Sequence, residues 1–467
     1  MSESQVADVL SRRWKVTVLA AAGFATVVAT TTIVTIRDSE EPGPQAATAL
    51  VDDKGDEGGG GHGEAGDRGG HDEYAHDTGV GTTHVECDPN DLIATLVELN
   101  GNSGGELDLA KDCTYTLTAN EDGNGLPRIT QPVVIHGNGA TIQRAANADD
   151  FRFFEVESGG DLRLRHLTLT RGKAAVDEDG GALYVHAGGR LDLDRVTVTR
   201  NTMFDPRDNS QDGAGVYNEG VTTIRNSTFG GNTSDDGAAV FNLNGKVEIH
   251  KSKIIGNVSD PGDGRGVVYN EGGSLRISKS LVGHNHAFQG GAVYSEGGTT
   301  QIEGSGVVYN RGAIGGGAHH VDGTLAVRGS TFAHNTATTG AGGGGFSLEG
   351  SAVIEDSRIH GNVAVSGNGG GVITNTGEAG QLISIRDSKI YDNQAPGNGA
   401  VGGGIFVGEG DEVRLTDTKV TGNISDEPAG GVHNLGTVTT HGKVRIVDNV
   451  PTNCQATGTN PVPNCFG

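Results

Sequence analysis

Large side chains are scarce in this chain: one Trp, two Met and 4% aromatic residues among 467. A compact α/β enzyme of that length needs more bulky apolar residues to fill its core. Basic residues are few as well, 34 against 59 acidic ones, for a formal charge of −25 and a pI near 4.9. A phosphate backbone is held by a basic face, so nucleic acid is not an expected partner. Cysteine occurs four times and never as CxxC, which argues against the usual zinc and thioredoxin-type sites. Glycine is abundant at 80 residues, but with 12 Pro and no triplet period the chain is not collagen. Short regular runs of Val, Ile and Leu separate it from low-complexity sequence. What remains is a narrow core lined by small β-branched residues.

One long apolar run is present. Residues 16–36, VTVLAAAGFATVVATTTIVTI, are uncharged, with Arg12, Arg13 and Lys15 before them and Asp38, Glu40 and Glu41 after. The run can span hydrocarbon and exceeds a usual signal-peptide apolar region of about 7–15 residues. Positive charge on its leading side places residues 1–15 in the cytoplasm and the rest outside. A retained single-pass anchor is expected. The alternative is a secreted product cleaved near Ala49, where Ala47-Thr48-Ala49 has the small-x-small form. Residues 37–84 are Gly-, acid- and His-rich with nothing to bury, and are expected as a disordered linker. Its His62, His71, His76 and His84 are weak metal candidates on irregular spacing. No cofactor is expected, with Ca²⁺ the one ion that acidic segments could take.

The rest of the chain repeats. An apolar residue three positions before an asparagine recurs at Asn201, Asn232, Asn257, Asn285 and Asn310, then at Asn335, Asn362, Asn393, Asn423 and Asn449. The intervals run from 25 to 31 residues, and eight of the ten have Ser or Thr five places earlier. Such a period marks a solenoid. Within one unit, GGALYVHAGGRLDLDRVTVTRN (180–201), ALYVH, RLDLD and VTVT alternate with period two and are predicted as strands. Three short strands per unit bury their apolar faces only by coiling and stacking on neighbours. The fold class is therefore all-β, a single-stranded parallel β-helix of about 10–12 coils, with Ser and Asn stacked in ladders.

Residues 85–150 are expected to form an N-terminal cap and the first coils, 151–449 the repeats, and 450–467 a C-terminal cap loop. Asp88-Pro89 starts a helix whose Leu92, Ile93, Leu96, Val97 and Leu99 would close the open end. Cys87, Cys113, Cys454 and Cys465 allow three pairings; two local bridges, Cys87–Cys113 and Cys454–Cys465, would staple the two ends in an oxidising compartment.

Paired motifs such as Gly290-Gly291-Ala292-Val293 and Phe332-x-x-Asn335 resemble those of polymorphic outer-membrane proteins and related right-handed parallel β-helix repeat proteins. The resemblance covers about residues 85–467 and implies a right-handed coil. It implies little about function, since the group holds adhesins and passengers alike. No barrel-like segment follows the repeats, so the anchor at 16–36 is expected to take the place of self-export.

Catalytic patterns are hard to find. Glycoside hydrolysis needs two convergent carboxylates, and the polygalacturonase-like set of NTD, DD, GHG and RIK is missing as a set. Gly61-His62-Gly63 lies in the linker, and Asp235-Asp236 reads as a solvated turn. His319-His320 beside Asp322 is the most metal-like spot, but adjacent strand residues face opposite ways. Asn120–Gly125 has calcium-loop composition without the EF-hand frame. Sugar platforms are expected to be poor in so aromatic-poor a chain. Thr168/Thr170 and Thr197/Thr199 are not expected to continue as a ladder. Function is placed instead in the loops after each ladder Asn, chiefly 202–212, 258–264 and 394–401, which should line one edge. The expectation is a membrane-anchored surface protein, structural, adhesive or ligand-binding, meeting a cell-envelope or host-surface glycan or protein. A divergent polysaccharide lyase or glycoside hydrolase acting on acidic or cell-wall polysaccharide is the alternative.

Overall fold

The computed structural model describes residues 81–175, 178–203, 211–374, 380–456 and 461–466. Residues 16–36, the linker to residue 80, and His62, His71 and His76 lie outside them. Among the described residues no helix is long and apolar enough to cross a membrane.

The described chain is a parallel β-helix of about 13 turns. Its strands stack into a 14-stranded sheet 1, a 13-stranded sheet 2 and a 12-stranded sheet 3, all parallel. Some coils add a fourth, two-residue strand after the ladder Asn, such as Arg311–Gly312, so a coil is not simply three strands. The linear sequence points to only ten to twelve coils because it allows counting only of coils that bear an Asn. Three strands of sheet 2, starting at Thr114, Thr141 and Thr168, precede the coil of Asn201.

One coil shows why these residues fold this way. Val293–Glu296 runs in sheet 3, Thr299–Glu303 in sheet 1 and Gly306–Val308 in sheet 2. Val293, Thr300, Ile302 and Val307 alternate inward and are almost wholly buried. Each such aliphatic burial is worth about 1.5–3 kcal/mol. Gly291 has no side chain because a Cβ there would overlap the backbones of Gly316 and Arg311 in the next coil.

The corners hold hydrogen-bonded columns. All ten ladder asparagines are buried. Asn310 is typical: its Nδ2 donates to Val282 O and to Asn335 Oδ1, both at 3.0 Å, while its Oδ1 accepts from Asn285 N and Nδ2 at 3.0 Å. Each rung thus ties three coils. The Ser column works through the backbone: Ser305 Oγ accepts from Ser280 N at 3.1 Å and donates to Glu303 O at 2.8 Å. A second Asn column, Asn218, Asn242 and Asn270, joins sheets 3 and 1, with amide contacts of 2.7 and 2.6 Å.

At the N-terminal end, helix α1 (Pro89–Gly101) starts at Asp88, whose Oδ1 accepts from Asn90 N at 2.8 Å. Leu92, Leu96 and Leu99, at i, i+4 and i+7, share one buried face. Val97 belongs off that face and is 57% exposed, contrary to the expectation from sequence. Both disulfides are local, Cys87–Cys113 and Cys454–Cys465, with Cα separations of 5.8 and 6.3 Å.

Candidate functional site

The outward column of sheet 3 concentrates the aromatic residues that composition alone makes look absent. Glu155, Tyr184, Tyr217, Phe241, Tyr269, Tyr294 and His319 stand in register on successive strands. Neighbouring rings from Tyr184 to His319 lie 4.7–5.2 Å apart, mostly edge to face. The four central rings are buried. A signal for them exists in the sequence: an aromatic residue holds the third place in ALYV, GVYN, AVFN, VVYN and AVYS. Each lies 24–33 residues from the next, so only coil alignment brings them together.

Acids flank this column on the loop edge. Asp179 Oδ1 accepts from Asp212 N at 3.1 Å, Asp212 Oδ1 accepts from Asp236 N at 3.2 Å, and Asp236 Oδ2 meets Arg265 at 3.1 Å. Arg265 also lies over the rings of Tyr269 and Tyr294, at 5.9 and 5.8 Å. Burial, with the neighbouring carboxylates of Asp236 and Asp179, pushes Asp212 up to about 9. Asp235 rises to about 6 by burial and the charges of Asp260, Asp236 and Asp263. Asp235-Asp236 is therefore not the solvated turn expected. On the other flank Tyr184 and Tyr269 donate to Glu219 and Glu296 at 3.2 and 3.0 Å.

Near the start of the column the polar groups converge most. Glu155 accepts from Asn124 Nδ2 at 2.7 Å, Arg128 Nε at 3.1 Å and Arg152 at 3.3 Å, and pairs with His186 Nε2 at 2.7 Å. Although burial opposes ionisation, these hydrogen bonds and charges hold Glu155 below the usual carboxylate range. Tyr184 stacks on His186 at 4.2 Å, and Arg152 lies 5.4 Å from the Tyr184 ring. Glu155, Glu157 and His186 bring ligand atoms within 4.8 Å of one another. Two arginines already neutralise the two glutamates, so the set fits an ion-pair network better than a divalent cation.

The residues singled out from sequence fall elsewhere. His319 faces outward and meets Glu349 at 3.0 Å; His320 faces inward, contacts Ser295 Oγ at 2.8 Å, and is driven to about 4 chiefly by burial. They do not share a site. His84 is exposed in the first strand. Asn120–Gly125 is a tight turn, Asn120 Oδ1 accepting from Gly123 N at 3.1 Å, and it delivers Asn124 to Glu155. Loops 258–264 and 394–401 emerge along the same edge; residues 204–210 of loop 202–212 lie outside the described residues. Loop 394–401 is tied to its neighbours by Gly399 N to Asp426 and Val401 N to Asn368, at 2.8 and 2.9 Å. The Thr-x-Thr pair stops as expected, with Gln143 and Gly230 flanking Thr170 and Thr199, but its first position continues: Thr114, Thr141, Thr168, Thr197 and Thr228 stand in register over five coils. Coil alignment reveals three members that the Thr-x-Thr pairs alone do not.

Sheet 1 presents charges of alternating sign on its outer face. Arg225 pairs with Asp192, Arg276 with Glu303 at 2.6 Å, and Arg328 and Arg386 both meet Glu355. Two shallow furrows of about 340 Å³ run across it, one against Arg163 and Arg190, the other against His250 and Lys279.

The sequence profile of the right-handed beta helix region matches residues 156–324, roughly a third of the chain. The coil is thus right-handed. No curated protein matches this chain. Among solved structures, the A-module of a mannuronan C-5 epimerase from Azotobacter vinelandii is similar at 14% identity and a TM-score of 0.40, over 80% of this chain and 95% of that one.

Proposed function

We propose that this chain is an extracytoplasmic binding scaffold without catalytic activity, carried on the acidic linker and held to the membrane by residues 16–36. One observation carries this: at Glu155 and Asp236 arginines and neighbouring donors already engage the carboxylates, and Asp212 and Asp235 are tied by the backbone N–H groups of Asp236 and Gln211. A general acid–base pair needs one group free to exchange a proton with substrate. The repeated GGA and FxxN motifs, similar to those of polymorphic outer-membrane proteins, support a role at the cell surface. Helix α1 and the loop bridged by Cys454–Cys465 serve as end caps, since an uncovered terminal coil offers unpaired strand edges. The ligand is a glycan or protein of the envelope or a host surface, met along the loop edge beside sheet 3.

A polysaccharide-acting enzyme is the second reading, favoured by the Glu155–His186 pair with Tyr184 and Arg152 beside it. The two part in one experiment. The full chain is incubated with a panel of acidic and neutral polysaccharides, with both retention and the release of reducing or unsaturated ends measured. Retention without release is expected. Release that disappears in His186→Ala would sink the scaffold role.

A further inference from the structure

The corner between sheets 1 and 2 is filled in successive coils by His166, Arg195, Asn226, Lys251 and Lys279, then by Gly304, Gly329, Asp356, Asp387 and Asp417. Backbone bonds carry the register across it, Arg195 N to Arg225 O, Asn226 N to His250 O and Lys251 N to Ser278 O. Every one of these residues has φ between 47° and 57°. Gly, Asn and Asp take that conformation most readily. Gly304 and Gly329 satisfy the same turn with no side chain, so the turn does not call for the lysines.

Arg195 is paired with Asp194 at 3.2 Å and Asn226 donates to the same carboxylate at 2.8 Å, but pairing does not account for the lysines. Lys251, Lys279, the adjacent Lys253 on sheet 2 and Arg165 on sheet 1 are exposed and make no ion pair among the described residues. This occurs in a chain with 25 more acidic than basic residues, where partners are plentiful. Lys251 and Lys279 occupy the same corner on neighbouring coils, about 4.8 Å apart, and repel one another unless an anion lies between them. His250 registers the resulting field. Burial and then Lys251, Lys279, Arg225 and Arg276 hold it below the usual imidazole range.

We propose that this corner, at Lys251, Lys253 and Lys279, is a docking track for a linear carboxylated polysaccharide lying parallel to the rod axis. One carboxylate per sugar gives a sparse charge spacing comparable to the coil spacing. Duplex DNA, with about one charge per 1.7 Å, is far denser and is repelled by the acidic remainder of the chain. The track stops where glycines and then Asp356 take over the corner. The inference rests on the binding role proposed above and names its ligand class, at a place separate from the loop edge.

The test uses the full chain and labelled polygalacturonate, with neutral dextran and a short DNA duplex as comparisons. Binding is expected at about 50 mM salt and weakens at least about tenfold by about 200 mM. The triple variant Lys251→Gln, Lys253→Gln, Lys279→Gln is expected to bind about tenfold more weakly while melting as the parent does. The matching Lys→Arg triple should bind as the parent does. Unchanged binding by the Gln triple, equal binding of dextran, or tighter binding of DNA overturns the track. If the parent ignores polygalacturonate yet is retained by envelope fragments, the track falls and the scaffold role stands; if it binds neither, both fall.

Discussion

The asparagine column and the corner column between sheets 1 and 2 recur once per coil at fixed places, yet they follow opposite rules. The asparagines are buried and identical in ten coils, because each amide needs the same amide above and below it. The corner residues are exposed and change from cationic to glycine to acidic along the rod, because only a backbone dihedral constrains them. A repeat holds a residue constant where stacking consumes the side chain. Where it releases that constraint, the side chains can differ from coil to coil and so can carry recognition.

The sharpest way to break this contrast is inside. Asn310→Ala removes four hydrogen bonds and strands Val282 O and Asn285 N in the interior, while Asn335 Oδ1 keeps only the backbone donor of residue 310. A loss of about 3 kcal/mol is expected, measured as a fall in the urea midpoint of unfolding. Separating Cys87 from Cys113 by Cys87→Ser should cost up to about 3 kcal/mol in the same measurement, through a 26-residue separation. Asp212 tests the loop edge through pH. Its folded-state value, about 9, lies above its ordinary 3.8, so the stability it contributes is full below pH 4 and is lost as pH rises toward 9. Asp212→Asn should therefore melt higher than the parent at pH 8, with the gap closing as pH falls toward 4. The smallest effect is expected at the corner: Lys251→Gly should leave stability unchanged or raise it by up to about 1 kcal/mol. A large loss there would show that the corner is constrained as the interior is.

Inward positions are legible in the linear chain because each announces itself locally. Val307 precedes Asn310 by three residues, and Ser305 precedes it by five, in one short motif. Period two marks Thr300 and Ile302 as buried without knowledge of any other coil. Outward columns carry no such local mark. Tyr217 and Phe241 stack at 5.1 Å while lying 24 residues apart, and the threonine column is hidden for the same reason. Whole-chain averages mislead further, since 4% aromatics says nothing about five of them sharing one face of sheet 3. The tuning of Asp212 and Glu155 is not legible at all, because it depends on burial and on partners supplied by other coils.

The last asparagine of the column has a particular consequence. Asn449 finds its next partner not in a further coil but in Asn453, four residues on, whose Oδ1 accepts from both its N and its Nδ2 at 3.0 and 3.1 Å. Asn453 in turn donates to Phe466 O at 2.7 Å, beside the Cys454–Cys465 bridge. The column is thus continued within a single turn rather than by another coil. The place of a further rung in the asparagine column is taken by Asn453, a residue of the same chain.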